Sequence, residues 1–189
     1  MHRCAWPAND PQMIEYHDTE WGTPVHDDRK WFEFITLDAF QAGLSWQIIL
    51  RKREGFRKAF HNFNVKRIAK YTDEDVKRLL ADAGIVRNRL KIAATITNAQ
   101  HFIEIQKEFG SFDKYIWQFV GGKTIKNKWK SIKKIPATSP ESDAISKDLK
   151  KRGFRFVGST IVYAFMQSGG LVNDHTTDCF RSRQVAKTK

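Results

Sequence analysis

The chain has 189 residues, 41% of them hydrophobic and 29% charged, which is the composition of an ordinary globular protein long enough to bury a real core. No apolar run approaches the roughly 18 residues of a membrane span, and "MHRCAWPAND" lacks the apolar stretch of a secretion signal; a cytoplasmic location follows, where the two cysteines would not form a stable disulfide. The 33 basic and 21 acidic residues leave a net charge of +12, gathered in "RKR" (51–53), "RNRLK" (87–91) and "KNKWKSIKK" (126–134), and clustered excess of this kind points to nucleic acid rather than to a uniformly solvated surface.

In chain order the signals are helical, with almost no strand-like alternation. A helix is expected over 27–43, capped by Asp27 or Asp28 and stopped at Gly43, and another over 45–60 after Ser45. Thr72, with Asp75 three residues on, opens a helix that Gly84 closes. A long helix covers 88–109 up to Gly110, Ser139–Pro140 opens one that Gly153 closes, and a last one lies within 159–168 before Gly169–Gly170. The fold class is all-α, one domain over 1–189 with its helical core at about 27–168.

Between the helices near 72–83 and 88–109 stands "AGIVRNR". Backbone N–H groups at a glycine turn and at the next helix's start make a phosphate seat, and Gly84, Arg87, Arg89 and Lys91 stand there. The pattern suits a helix-hairpin-helix over about 72–109 that grips a DNA backbone, and suits equally an ordinary helix pair with a glycine turn.

On a helical wheel of residues 31–42, Asp38 falls in the middle of the stripe formed by Trp31, Phe34, Ile35 and Ala42. A buried carboxylate is costly unless paired or awaiting a cation, so Asp38 either bonds a cap or an arginine, or serves a ligand. Trp6, Tyr16 and Trp21 stand upstream and "QAGLSW" (41–46) follows; aromatics near an acid suit a flat cationic ligand, or are simply core. At the far end, His175 and Cys179 in "LVNDHTTDC" look like half of a metal site.

Taken together, "RCAWP", "YHDTEWG", "QAGLSW", "RKREGFRKAF", "DAGIVRNRLKI" and "KKRGFRFVGSTIVYAFMQSGGLVNDH" followed by Cys179 resemble the 3-methyladenine DNA glycosylase I family over nearly the whole chain, a stretch near 120–138 excepted. The resemblance implies a helix-hairpin-helix DNA glycosylase, a bacterial cytoplasmic enzyme found on the nucleoid when acting. It would act as a monomer on double-stranded DNA containing alkylated adenine. It implies one structural zinc on Cys4, His17, His175 and Cys179, joining the end segments 1–22 and 171–180; two thiolates and two imidazoles fill a tetrahedron and leave no position for substrate. It makes Tyr16, Trp46 and position 38 the contacts to a flipped base, with Trp6 and Trp21 as walls. The implied reaction is hydrolysis of the N-glycosidic bond of 3-methyladenine without strand cleavage, since no lysine is clearly placed for Schiff-base chemistry. Leu44, beside Gln41, is either a wedge for the gap left in the duplex or a core residue.

The chain departs from the family in two places. Asp38 stands where the family has glutamate, shortening the arm by about 1.5 Å, and Met13 replaces an aromatic. Two functions are therefore expected as alternatives: excision with Asp38 in the glutamate's place, or a zinc-stabilised DNA-binding paralogue with altered base range or little excision.

Overall fold

The computed structural model describes residues 1–185; residues 186–189 of the expected domain lie outside the described residues. Among the described residues the chain is mostly helical, with helices α1 Pro11–Thr19, α2 Asp28–Gln41, α3 Trp46–Arg51, α4 Arg53–Ala59, α5 Val65–Ile68, α6 Asp73–Ala81, α7 Arg89–Phe109, α8 Phe112–Trp117, α9 Pro140–Lys151, α10 Ser159–Ser168 and α11 Phe180–Val185. A two-residue parallel pair, β1 Ile125–Lys126 with β2 Val172–Asn173, is the strand content. No described helix is long and apolar enough to cross a membrane.

α2 is the axis of the molecule. Residues 31 to 40 are all buried, because α2 packs against α3, α7, α8 and α10 at once; a helix covered on every side carries apolar side chains all round. Trp31, Phe32, Phe34 and Phe40 supply them. Its one buried acid besides Asp38 is Glu33, which accepts from Arg53 at 2.7 Å and Arg57 at 3.0 Å. Arg53 also donates two bonds of 2.8 Å to Glu20 just after α1. This buried network fastens α1, α2 and α4 together.

The caps explain most boundaries. Asp27 caps α2, Ser45 caps α3, Asn88 caps α7 and Ser139 caps α9 through their side-chain oxygens. Thr72 and Asp75 form the expected capping box on α6. Gly110 ends α7 in the left-handed region. At Gly169–Gly170 the chain needs more than a stop signal: a Cβ on Gly169 would lie 2.0 Å from the Trp31 ring, and Gly170 has φ +72° with Thr23 and Pro24 close behind it.

Three expectations need correction. The helix expected over 45–60 is two, α3 and α4, meeting at Lys52 (φ −94°, ψ 0°); the change of direction there turns Arg53 inward to its two glutamates. Gly84 is not a left-handed helix stop. α6 ends at Ala81 with Asp82 as its C-cap, and the N–H of Gly84 is already bonded to the Asp82 carboxylate at 2.7 Å. What needs a glycine here is proximity, since a Cβ on the facing Gly55 would lie 2.3 Å from the Gly84 carbonyl oxygen. Lys91 is not at the surface: its ammonium donates to the carbonyls of Phe40 and Ala42 at 2.8 and 2.6 Å. It occupies the electronegative C-terminus of α2 and pins the start of α7 to it.

Lys91→Ala should therefore lower the unfolding free energy by about 2 kcal/mol, the size of losing hydrogen bonds to a charged group. Urea denaturation checks this; a variant as stable as the wild type would show that the strut carries no load.

Candidate functional site: an aromatic cavity and a cluster of four ligands

α1 starts at Asp10, whose Oδ1 accepts from the N–H groups of Gln12 and Met13 while Oδ2 accepts from Gln47 at 2.6 Å and Arg51 at 2.9 Å on α3. One carboxylate thus sets α1 against α3 and brings Tyr16 to Trp46, with ring centres 5.3 Å apart and tilted by 45°. Trp6 packs edge-on against Tyr16 at 6.2 Å and Trp21 at 5.1 Å. α2 brings Asp38 and Gln41 to the same place, and α10 brings Thr160, Ala164 and Ser168. The result is one cavity of about 380 Å³ lined by all of these residues. Of the sequence-predicted residues, Trp6, Tyr16, Trp21, Asp38, Gln41 and Trp46 are brought together.

The electrostatics are unusual. Asp38 is only 2% exposed, and its Oδ2 has no hydrogen-bond partner; the indole N–H groups of Trp6 and Trp46 are buried and unpartnered in the same way. Buried polar groups are rarely left so. Burial pushes the Asp38 carboxyl well above the usual carboxylate range, and the Ser168 hydroxyl and the Arg53 charge only partly offset it. Burial and the nearby Asp38 likewise raise the Tyr16 phenol, which donates to Ser168 Oγ at 3.1 Å.

Part of the wall comes from the end of the lysine-rich stretch 126–134, one of the basic clusters that point to nucleic acid, and from the residues after it. Ile132, Ile135, Pro136 and Ala137 line the cavity, and the lysine-rich stretch that leads to them is anchored from inside. Asp174, 1% exposed, accepts from Asn127 and Trp129 on one oxygen and from Tyr163 and Gln167 on the other, all at 2.7 Å. The α10 contribution was legible but unread: Thr160, Ala164 and Ser168 recur every four residues, so a narrow stripe of small side chains leaves room beside α2. Met13 packs against the core and does not line the cavity.

Beside the cavity, residues 42–45 make a tip with Gly43 at φ +79° and Leu44 37% exposed. Leu44 lines a smaller cavity of about 220 Å³ that also touches Asp38 and Gln41. Gly84, Arg87 and Arg89 are exposed on the link to α7, which Lys91 holds next to this tip.

Cys4, His17, His175 and Cys179 are all buried, with one ligand atom each lying within 4.8 Å of the others. Their tautomers follow from their partners. His175 Nε2 stands 3.0 Å from the Trp21 carbonyl, which can only accept, so its bare Nδ1 faces the two sulfurs, each 3.6 Å away. His17 Nδ1 stands 2.7 Å from Asp18, leaving Nε2 bare at 3.5 Å from Cys179 Sγ. Two lone pairs and two thiols converge with no donor among them except the thiol protons. A tetrahedral ion bound at about 2.3 Å to sulfur and 2.0–2.1 Å to nitrogen has S···N edges of about 3.6 Å, and the observed separations fit. Thr176 donates to Cys4 Sγ through its N–H at 3.4 Å, as a thiolate would require. The group can hold a metal ion.

The architecture is that of solved helical DNA glycosylases. The crystal structure of 3-methyladenine DNA glycosylase I superposes on the chain with a TM-score of 0.92 at 51% identity, covering 95% of this chain and 98% of that one. A tyrosine-to-phenylalanine variant of 3-methyladenine DNA glycosylase I, solved in complex with 3-methyladenine, matches with a TM-score of 0.93 at 34% identity over 96% of this chain and 98% of that one. The methyladenine glycosylase model matches residues 6–182, and DNA-3-methyladenine glycosylase 1 of Escherichia coli (strain K12) is 48% identical over 179 residues, 95% of this chain and 96% of its own. The chain belongs to the methyladenine glycosylase family.

The raised Asp38 carboxyl has a consequence for stability. A group that holds its proton more tightly when folded adds stability below the ordinary carboxylate pKa and loses it as pH rises through the folded value. Asp38→Asn should therefore melt progressively higher than the wild type as pH is raised from about 4 toward neutrality. Thermal melts across that range test the sign; a constant difference would mean the carboxyl titrates normally.

Proposed function

We propose that the protein excises 3-methyladenine from alkylated double-stranded DNA by hydrolysing the N-glycosidic bond. The observation that carries this is the unpartnered Asp38 oxygen in an aromatic cavity. A purine methylated at N3 and still joined to its sugar is a cation with a weakened glycosidic bond, so the enzyme must extract and recognise the base more than activate it. Extrusion costs a few kcal/mol, less for a damaged base. Trp46 would stack on the ring, Tyr16 and Asp38 would bond its edge, and Trp6 and Trp21 would wall it. Entry of the cation offsets the cost of ionising Asp38 in a dry site, whereas neutral adenine brings no such gain. The same carboxylate faces the smaller cavity by the tip and would favour positive charge developing on the sugar, with water as the final nucleophile. No lysine lines the cavity, which supports a hydrolase without strand cleavage.

On this reading the whole chain, 1–189, is one helix-hairpin-helix glycosylase domain acting as a monomer in the bacterial cytoplasm, on the nucleoid. Leu44 at the tip, with Gln41, fills the gap left by the flipped nucleotide, and the link carrying Gly84, Arg87 and Arg89 holds the backbone. Cys4, His17, His175 and Cys179 hold one zinc. A bound zinc would neutralise the two thiolates and join the chain ends, a structural role with no open coordination position; Asp18 and the Trp21 carbonyl fix the two imidazoles for it.

Methylated DNA incubated with the protein should release free 3-methyladenine, measured by chromatography. Asp38→Ala should lower the rate by about a hundredfold while DNA binding persists, and Asp38→Glu should remain active. DNA binding without base release by the wild type would favour the alternative, a zinc-stabilised binder in which the short acid no longer serves. For the metal, elemental analysis of tag-free protein should find about one zinc per chain, and Cys179→Ser should lose it and melt at a lower temperature; metal-free protein that melts as the loaded form does would remove zinc from the structure.

A further inference from the structure

The short arm of Asp38 has a neighbour that matches it. Ser168, 4% exposed at the end of α10, accepts the Tyr16 hydroxyl proton at 3.1 Å, and all three residues line the same cavity. A hydroxyl that accepts from one group keeps its own proton to give. Tyr16 is spent as a donor on this bond, so the serine proton is free, and the one acid that shares the cavity wall with it is Asp38, whose charged form the hydroxyl favours. The other ionisable group acting on Asp38 is Arg53 from α4, while Tyr16 from α1 in turn feels the Asp38 charge.

We propose that Ser168 is a positioning residue for the shortened acid: by taking the Tyr16 proton and giving its own to Asp38, it fixes the carboxylate with Oδ2 left for the base. The serine thereby links two base contacts from different helices into one hydrogen-bonded unit, and it makes up in orientation what the aspartate lacks in reach. A glutamate at this position, one methylene longer, would meet the base directly and would not need the serine. This inference rests on the excision reading above and concerns a different residue.

The test is a cycle of four proteins, wild type, Ser168→Ala, Asp38→Glu and the double variant. Each is checked by thermal melting and assayed for single-turnover release of 3-methyladenine across pH and for binding of the free base by tryptophan fluorescence. Ser168→Ala should slow release about tenfold in the wild-type background, the weight of one hydrogen bond to a charged group. It should also move the acid limb of the rate profile to higher pH, because a hydrogen bond favouring the carboxylate has gone. In the Asp38→Glu background the same change should have little effect. Ser168→Cys, which keeps the volume but donates weakly, should fall between wild type and alanine and guards against a packing defect. Ser168→Ala with an unchanged rate and profile, or an equal loss in both backgrounds, would overturn the serine's role while leaving excision standing. A wild type that neither binds nor releases the base would overturn both.

Discussion

A carboxylate held out of water with one oxygen unpaired is an expensive thing to fold around, and much of the structure is arranged so that Asp38 can exist. It sits on the most deeply buried helix, between residues that are wholly apolar in their packing, with aromatic rings from α1, α3 and the N-terminal segment on its open side. Arg53 is the cation whose charge acts on it, yet its hydrogen bonds go to Glu20 and Glu33. Were the arginine to pair with Asp38 directly, the fold would gain stability and the cavity would lose its only charged acceptor. The glutamates withhold the arginine, and in doing so they keep α1, and with it Tyr16, in register with α2.

The aromatic wall has its own dependence. Trp6 lies two residues from Cys4, Tyr16 next to His17, and Trp21 offers its carbonyl to His175, so three of the rings around the cavity hang from the cluster where the chain ends meet. Short end segments without helix partners are ordinarily loose. Here the N-terminal segment is tied both by the four-residue cluster and by the Asp10 bonds to α3, one on each side of the rings. On the proposed reading a zinc at the cluster would turn this from contact into attachment and add to the hold that the core and Asp10 already have on the rings.

Much of this was legible in the sequence, for identifiable reasons. Asp27, Thr72, Asn88, Ser139 and Gly110 act locally, and their helices begin or end where such residues predict. Asp38 stood out because an acid in an apolar stripe contradicts its surroundings. What escaped notice depends on tertiary partners. α1 carries an N-cap and a proline in its first turn yet little apolar periodicity, since its burial goes to Tyr16 and His17 alone. The break at Lys52 goes with glutamates elsewhere in the chain, and the need for Gly55 is set by the backbone of Gly84. Lys91 belongs to a basic cluster that reads as a surface; only the carbonyls at the end of α2 show that one of its charges faces inward. β1 and β2 are two residues each, too short for any alternation to appear.

The sign of the charge reverses between the outside of the molecule and the cavity, and the two scales do different work. The net charge of +12 acts over a Debye length of about 8–10 Å at ordinary ionic strength. It attracts any nucleic acid, carries no information about damage, and weakens as salt rises. On the proposed reading the Asp38 carboxylate, buried on the cavity wall, would act on the base over contact distance, where its preference for a cationic ring over a neutral one is little screened. A protein that relied on the outer field alone would bind DNA without choosing; one that relied on the inner charge alone would choose among bases it rarely met. Lys91 joins the two at one point, since its ammonium fixes the helix of the arginine-bearing link to the end of the helix that carries Asp38; on the proposed reading a DNA backbone held at the link would thereby be held at a set distance from the cavity mouth.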